Sequence, residues 1–185
     1  MSTGATASPR REELLERAYG YALEHGVADM SLRPLAAAVG SSPRVLLFLF
    51  GSKAGLVQAL LGRARREELA LLERARAAGA AGSDLVGIAA ELWGWLSAEE
   101  HRGLLKLWVE GYALSLIDTD EGPWAGFARA TVADWLELLA EVPGDPSERT
   151  LILAVLRGAM LDLLATGELE RVSAAIQRQL ELLRP

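Results

Sequence analysis

Apolar positions return every three or four residues almost throughout this 185-residue chain, and alternating runs of β-branched residues are absent, so the pattern predicts helices and no sheet. Ala, Leu, Glu and Arg, all good helix formers, dominate. Caps and breakers then divide the chain. Ser8-Pro9 is an N-cap followed by proline at the first helical position, opening a helix to about Glu24 that ends near Gly26. Its expected inward stripe is Leu14, Ala18, Tyr21 and Ala22. Ser31 caps a short second helix through about Val39, closed by Gly40 in the left-handed conformation. Ser42-Pro43 opens a third helix of about eight residues, stopped by Gly51, and Ser52 caps a long fourth to about Ala78. Gly79 to Ser83 reads as a break and the next N-cap. Five more helices are expected at about 84–97, 99–117, 123–141, 147–166 and 168–183, the loop from Asp118 to Gly122 separating two of them. The fold class is therefore all-α with about nine helices, and residues 1–8 are expected to be a disordered tail.

The second and third helices, joined by Gly40-Ser41-Ser42, have the length and turn of a helix-turn-helix. Ala36, Ala37 and Ala38 are small enough to let them approach closely. Short helical hairpins also occur as plain structural units, so the spacing alone leaves both readings open.

Composition narrows the chemistry. Apolar residues make up 51% and charged residues 24% of the chain, the balance of a globular domain. There is no cysteine, which excludes disulfides, thiolate zinc sites and cysteine nucleophiles. With only His25 and His101, and with no nucleophile–base pair, metal-ligand spacing or phosphate loop, no catalytic residue, metal or cofactor is assigned and an enzyme is not expected. His25 reads as a helix-end residue favoured by the macrodipole, and His101 as an exposed first-turn residue. The longest apolar runs, Val45 to Phe50 and Leu151 to Leu156, fall far short of the ~20 residues of a membrane span. The beginning, MSTGATASPRR, lacks the apolar core of a secretory signal. A cytoplasmic protein with no membrane partner is expected.

The net charge of −6 argues at first against a polyanionic partner. Residues 1–70 nevertheless hold nine basic and seven acidic residues, a balance of +2, which leaves −8 for the remainder. All five tryptophans lie in the acidic part. Such a split is a cue for two separate tasks.

From Leu14 to Leu56 the chain resembles, without a gap, the DNA-binding domain of TetR-family transcriptional regulators. The stretches that carry the resemblance are Leu14-Leu15 with Ala18, Glu24-His25-Gly26, Ser31-Leu32-Arg33-Pro34-Leu35-Ala36, Val39-Gly40, Ser42-Pro43-Arg44, Phe50-Gly51-Ser52-Lys53 and Leu56. They fix many positions in register over about forty residues, under a quarter of the chain by motif, and the all-helical remainder agrees in layout. Arg157-Gly158 to Leu163-Leu164-Ala165-Thr166-Gly167-Glu168 resembles the family's dimerising helices more loosely. The resemblance implies a helix-turn-helix DNA-binding domain over 9–52 and a ligand-binding and dimerisation domain over 53–185.

It also implies roles. Ser31 and Arg33 would meet phosphates at the start of the second helix. Ser42, Arg44 and Val45 would begin the recognition helix, Arg44 reading guanine and Val45 touching a thymine methyl. Lys53 would clamp a phosphate, and Leu46 and Phe50 would face the small core. Two positions depart from the family pattern. Leu47 stands where a tyrosine usually offers its hydroxyl to phosphate, and Leu49 replaces a polar histidine, which weakens the phosphate share of affinity. Arg63, Arg65 and Arg66 are expected to pair with Glu67, Glu68 and Glu73 on a solvated face.

The aromatic stripe of helices five to seven reads first as core. The resemblance adds a small-molecule pocket, for which Glu91, Trp93, Trp108, Tyr112, Trp124, Phe127 and Trp135 are the candidates. Carboxylates within these apolar segments, Glu91, Glu110 and Asp134, need partners if buried, and beside aromatic faces they suit an apolar or aromatic effector, including a cationic one. The last two helices are apolar on more than one face, which predicts a second buried surface. A homodimer through Val155, Gly158, Ala159, Asp162, Leu163, Ile176 and Leu180 is expected, with Arg157 of the facing chain as a partner for Asp162. The function this implies is a ligand-responsive repressor that binds a palindromic double-stranded DNA operator as a dimer. The rival is a helical small-molecule-binding protein of the same fold with weak or lost DNA binding.

Overall fold

A computed structural model describes residues 8–27, 29–79, 84–117 and 124–184. Among them are nine α-helices and no strand: α1 (Pro9–His25), α2 (Leu32–Ala38), α3 (Pro43–Phe50), α4 (Lys53–Gly79), α5 (Leu85–Leu96), α6 (Arg102–Ile117), α7 (Phe127–Leu139), α8 (Pro146–Thr166) and α9 (Leu169–Leu182), with a 3-10 turn at Glu99–His101 before α6. The expected disordered tail, apart from Ser8, lies outside the described residues, as do most of the Gly79-to-Ser83 break and the loop from Asp118 to Gly122.

Local chemistry explains most boundaries. The Ser8 side chain accepts from the Arg11 N–H at 3.3 Å, and Pro9 occupies the first turn of α1. Ser31 sits at the N-cap of α2 but makes no side-chain capping bond. The cap of α5 is Asp84, whose carboxylate accepts from the Gly87 N–H at 2.7 Å. Asp145 and Glu148 form a capping box at the start of α8, and Gly167 ends it with φ +72°. The seventh helix starts later than expected, at Phe127, because Trp124 to Gly126 form a turn with Gly126 at φ +74°.

The described residues fall into two compact units, one from 1–66 and 106–126, the other from 67–105 and 127–185. In the first, Leu14, Leu15, Ala18, Tyr19 and Ala22 of α1 are buried with Leu35, Leu46, Phe50, Leu56 and Leu60. Tyr19 rather than Tyr21 turns inward; Tyr21 is half-buried and stacks on His25 at 4.0 Å. Arginines of this unit tie helices together. Arg11 donates to the Leu49 carbonyl at 3.3 Å and lies 4.9 Å from the Phe50 ring, joining α1 to α3. Arg17 donates to the Val39 carbonyl at the end of α2. The expected boundary at 52/53 is thus not where packing divides, since Leu56, Val57, Leu60, Leu61 and Ala64 of α4 belong to this unit's buried residues.

In the second unit α8 packs against α5, α7 and α9, and α5 also touches α9. Ile88, Leu92, Leu138, Leu139, Ile152, Leu156, Met160 and Ile176 are buried there. The expectation of a second apolar face holds for α8 but not for α9. On α9 the buried residues Val172, Ile176 and Leu180 make one stripe, and its other faces carry mostly polar side chains.

Candidate functional site

The helix-turn-helix is built from ordinary local constraints. After α2 the chain turns at Gly40, whose φ of +65° strains any residue with a Cβ. The Ser41 N–H donates to the Ala36 carbonyl at 2.8 Å, and α3 restarts at once with Ser42 accepting from the Val45 N–H at 3.3 Å and Pro43 behind it. Leu46 and Phe50 are buried and hold α3 against its unit, as expected. That orientation turns Arg44, Val45, Leu47 and Phe48 outward, with exposures of 38% for Val45, 40% for Leu47 and 85% for Phe48. Ser52 opens α4 by accepting from the Gly55 N–H at 2.9 Å, and Lys53 next to it is exposed. Ser31 and Arg33 are exposed at the start of α2.

Electrostatics separate the cations around the helix-turn-helix into two groups. Arg10 and Arg17 both pair with Glu13 at 2.7 Å, and the hydrogen bond and charge of Arg10, then the charge of Arg17, hold the Glu13 carboxyl below its usual value. Arg63 donates to Glu16 of α1 at 2.8 and 3.1 Å and lies 4.6 Å from the Tyr19 ring. It therefore spans two helices, a contact beyond the expected pairing along its own helix. Arg33, Arg44 and Lys53, in contrast, are exposed and make no ion pair with any described residue.

Behind the helix-turn-helix, Glu110 of α6 accepts from the Val27 N–H at 2.9 Å, in the loop between α1 and α2. Gly26 has φ +75°, and a Cβ on it would stand 3.0 Å from that carboxylate. That φ strains any residue with a Cβ, and the Glu110 side chain would have to give way to it.

The residues expected around a ligand are distributed over both units. In the first, Trp108 stacks on Tyr112 at 4.9 Å between centroids, and Trp124 is buried. In the second, Trp93 is buried with its N–H on Ser173 Oγ of α9 at 3.0 Å, Phe127 is half-buried, and Glu91 is exposed. The Trp135 N–H donates to Glu68 Oε1 of α4 at 2.7 Å. Glu68 is 5% exposed, so the structure sets a carboxylate inside the second unit that the sequence reading had put on a solvated face. A signal was present: Glu68 continues the row of Leu60 and Ala64 at four-residue spacing on α4. His101 is likewise not a free surface residue, because it stacks on Trp95 at 4.0 Å with Nδ1 2.9 Å from the Trp95 carbonyl. A cavity of about 120 Å³ in this unit is lined by Leu96, Leu105, Leu163, Leu164 and the Arg102–Glu99 pair. It contains none of the expected aromatic residues and is well below the ~300–1,000 Å³ usual for small-molecule sites.

Of the residues expected at a dimer surface, Gly158 is exposed and Val155, Ala159 and Asp162 are half-buried, whereas Leu163, Ile176 and Leu180 are buried within the chain. Asp162 is bound by Arg171 of α9 at 2.6 and 2.9 Å and by Thr166. Asp162 thus has a partner within its own chain, across the Gly167 turn.

No protein-family model matches the sequence, and comparison with curated proteins finds no match. Solved structures do match. A TetR transcription regulator from Haloarcula marismortui superposes with a TM-score of 0.68 at 19% identity, over 92% of this chain and 94% of that one. A TetR-like transcriptional regulator from Rhodococcus sp. RHA1 gives 0.66 at 21% identity, over 92% and 93%. The multidrug binding protein EbrR, solved with imidazole, gives 0.65 at 24% identity, over 96% of each chain. None of the described helices is by itself long and apolar enough to cross a membrane. The chain has the fold of the TetR-type transcriptional regulators.

Proposed function

We propose that this chain is a DNA-binding transcriptional regulator, a repressor that grips a palindromic operator as a homodimer and is released by a small-molecule effector. The observation that carries the reading is the division of cations around the helix-turn-helix. Arginines that tie helices together or balance α1 are paired, while Arg33, Arg44 and Lys53, at the starts of α2, α3 and α4, are left exposed without a described ionic partner. Unpaired cations around a helix-turn-helix are what a phosphate backbone neutralises. In this reading Ser31, Arg33 and Lys53 hold phosphates, Ser42 sets the start of the recognition helix, and Arg44, Val45 and Leu47 face the bases. Residues 9–52 act on DNA, with Lys53 at the start of the next helix, and the rest of 53–185 serves the effector and the dimer, in the cytoplasm where the operator lies. The effector acts only as far as it binds the operator-incompetent conformer more tightly. An apolar or aromatic effector suits Trp93, Trp108, Tyr112, Trp124, Phe127 and Trp135. A cationic group on it suits Glu91 or the buried Glu68.

A titration of random-sequence duplexes at several salt concentrations tests this. Two phosphate-bound cations per protomer, four per dimer, give a slope of log affinity against log salt of about −3.6. The rival, a small-molecule-binding protein of this fold with weak or lost DNA binding, is favoured by one observation, the bare apolar side chain of Phe48 on α3. A slope near zero selects the rival.

A further inference from the structure

The outward face of α3 has few polar groups with which to read a base. Between Pro43 and Phe50 only Arg44 carries a polar side chain, and the Ser42 oxygen just before them accepts the capping N–H of Val45. Arg44 suits one guanine. What remains outward is apolar: Phe48, one turn after Arg44 on the same face, flanked by Leu47 and Val45. Phe48 is the most exposed of the large apolar side chains described.

The charge around this patch selects its occupant. A second copy of the chain would bring Arg33, Arg44 and Lys53 against their own images, with no described acid paired to them to relieve the repulsion. A polyanion fits those cations, and within it the patch needs apolar points. The major groove of duplex DNA offers one such group, the C5-methyl of thymine. We propose that α3 reads thymine through that methyl, with Phe48 as the main contact and Leu47 and Val45 beside it. This inference rests on the DNA-binding reading above and adds Phe48 as the side chain that chiefly meets the methyl.

The test uses the full-length protein and the tightest duplex selected from a random-sequence pool, made once with thymidine and once with deoxyuridine throughout. Deoxyuridine keeps every hydrogen-bonding group and removes only the methyl. Burial of one such carbon is worth about fourfold in affinity, from ~0.8 kcal/mol per carbon. One contact in each of two half-sites therefore weakens the uracil duplex about fifteenfold in fluorescence anisotropy. Phe48→Ala is expected to lose a similar factor on the thymine duplex and to bring the thymine-to-uracil ratio close to one. Phe48 contributes nothing to the core, so the variant's thermal unfolding should match that of the parent. Equal binding of the two duplexes, with the salt slope retained, overturns the thymine reading and leaves DNA binding standing. A ratio that persists unchanged in Phe48→Ala removes Phe48 from the contact. Failure to bind any duplex overturns both readings. A drop in sedimenting mass for Phe48→Ala, with no change in the ratio, makes the patch a contact between copies and overturns the proposal as well.

Discussion

Two helices of this molecule, α3 and α8, bury one apolar face and leave another outside, but their exposed faces differ in charge and in side-chain size. On α8, Ile152, Leu153, Leu156, Met160 and Leu163 are buried, while Leu151, Ala154, Gly158, Leu161 and Ala165 form an exposed row at alternating three- and four-residue spacing. That row is small at its centre and has a leucine on either side. The acid beside it, Asp162, is already bound by Arg171. On α3 the exposed side chains are large and the cation among them, Arg44, makes no described ion pair. Apolar exposure alone does not name a partner; the neighbouring charge does. A neutral row with a small centre suits a second helix packed closely, and an aromatic group accompanied by unpaired cations suits a polyanion.

The sharpest way to break this comparison is at Gly158. A Cβ there meets nothing within 4 Å and Gly158 is exposed, so Gly158→Leu is expected to leave the protomer folded, with thermal unfolding like the parent's. If protomers pair closely through α8, overpacking of about 2 kcal/mol weakens the dimer about thirtyfold in a sedimentation dilution series. An unchanged dimer constant removes the α8 row from the interface. The corresponding change on α3, Arg44→Ala, is expected to cost about 1–3 kcal/mol of operator affinity and to relax specificity at one base pair. Arg10→Ala, which removes a cation already paired with Glu13, serves as its control and should change operator affinity little. Equal losses from the two variants would erase the distinction between paired and unpaired cations.

Smaller effects sharpen the contrast between outward groups left free and inward groups held. Trp135→Phe keeps the ring but removes the N–H that Glu68 accepts within the second unit. A loss of about 1–2 kcal/mol in urea unfolding is expected. The smallest effect belongs to Asp162. The Arg171 hydrogen bonds, reinforced by its charge and by Thr166, hold this carboxyl below its usual 3.8. A carboxylate whose folded value is depressed contributes stability at neutral pH that is lost as pH falls below 3.8 through that folded value. Asp162→Asn should therefore lower the melting temperature slightly at neutral pH, and the difference from the parent should vanish once both are acid-titrated. A difference that persists at low pH assigns the loss to packing instead.

The helix count, the paired Ser-Pro starts and the glycine stops were legible because they are local: a cap, a missing N–H or a positive φ acts within one turn. The two leucine-lined faces of α8 were also legible as an excess of apolar positions. Position within a stripe was less so. Tyr19 and Tyr21 both lie near the inward face of α1, and in the fold Tyr19 is the buried one, with Arg63 from α4 against its ring. Of the helix-turn-helix residues, the sequence placed Leu46 and Phe50 correctly inside from their four-residue spacing.

By itself, then, the sequence determined an all-helical chain, its punctuation, and a helix-turn-helix whose outer face carries Arg44 and unusual apolar neighbours. The tertiary structure alone decided the partners of the charged groups. Glu68 meets Trp135 across 67 positions, Arg63 meets Glu16 across 47, Glu110 meets the Val27 N–H across 83, and Asp162 meets Arg171 across nine. The physical reason is one of range. Backbone capping and helical periodicity are satisfied within a few residues of sequence. A charge or a buried donor is satisfied by whatever the packing of distant helices brings within about 3 Å.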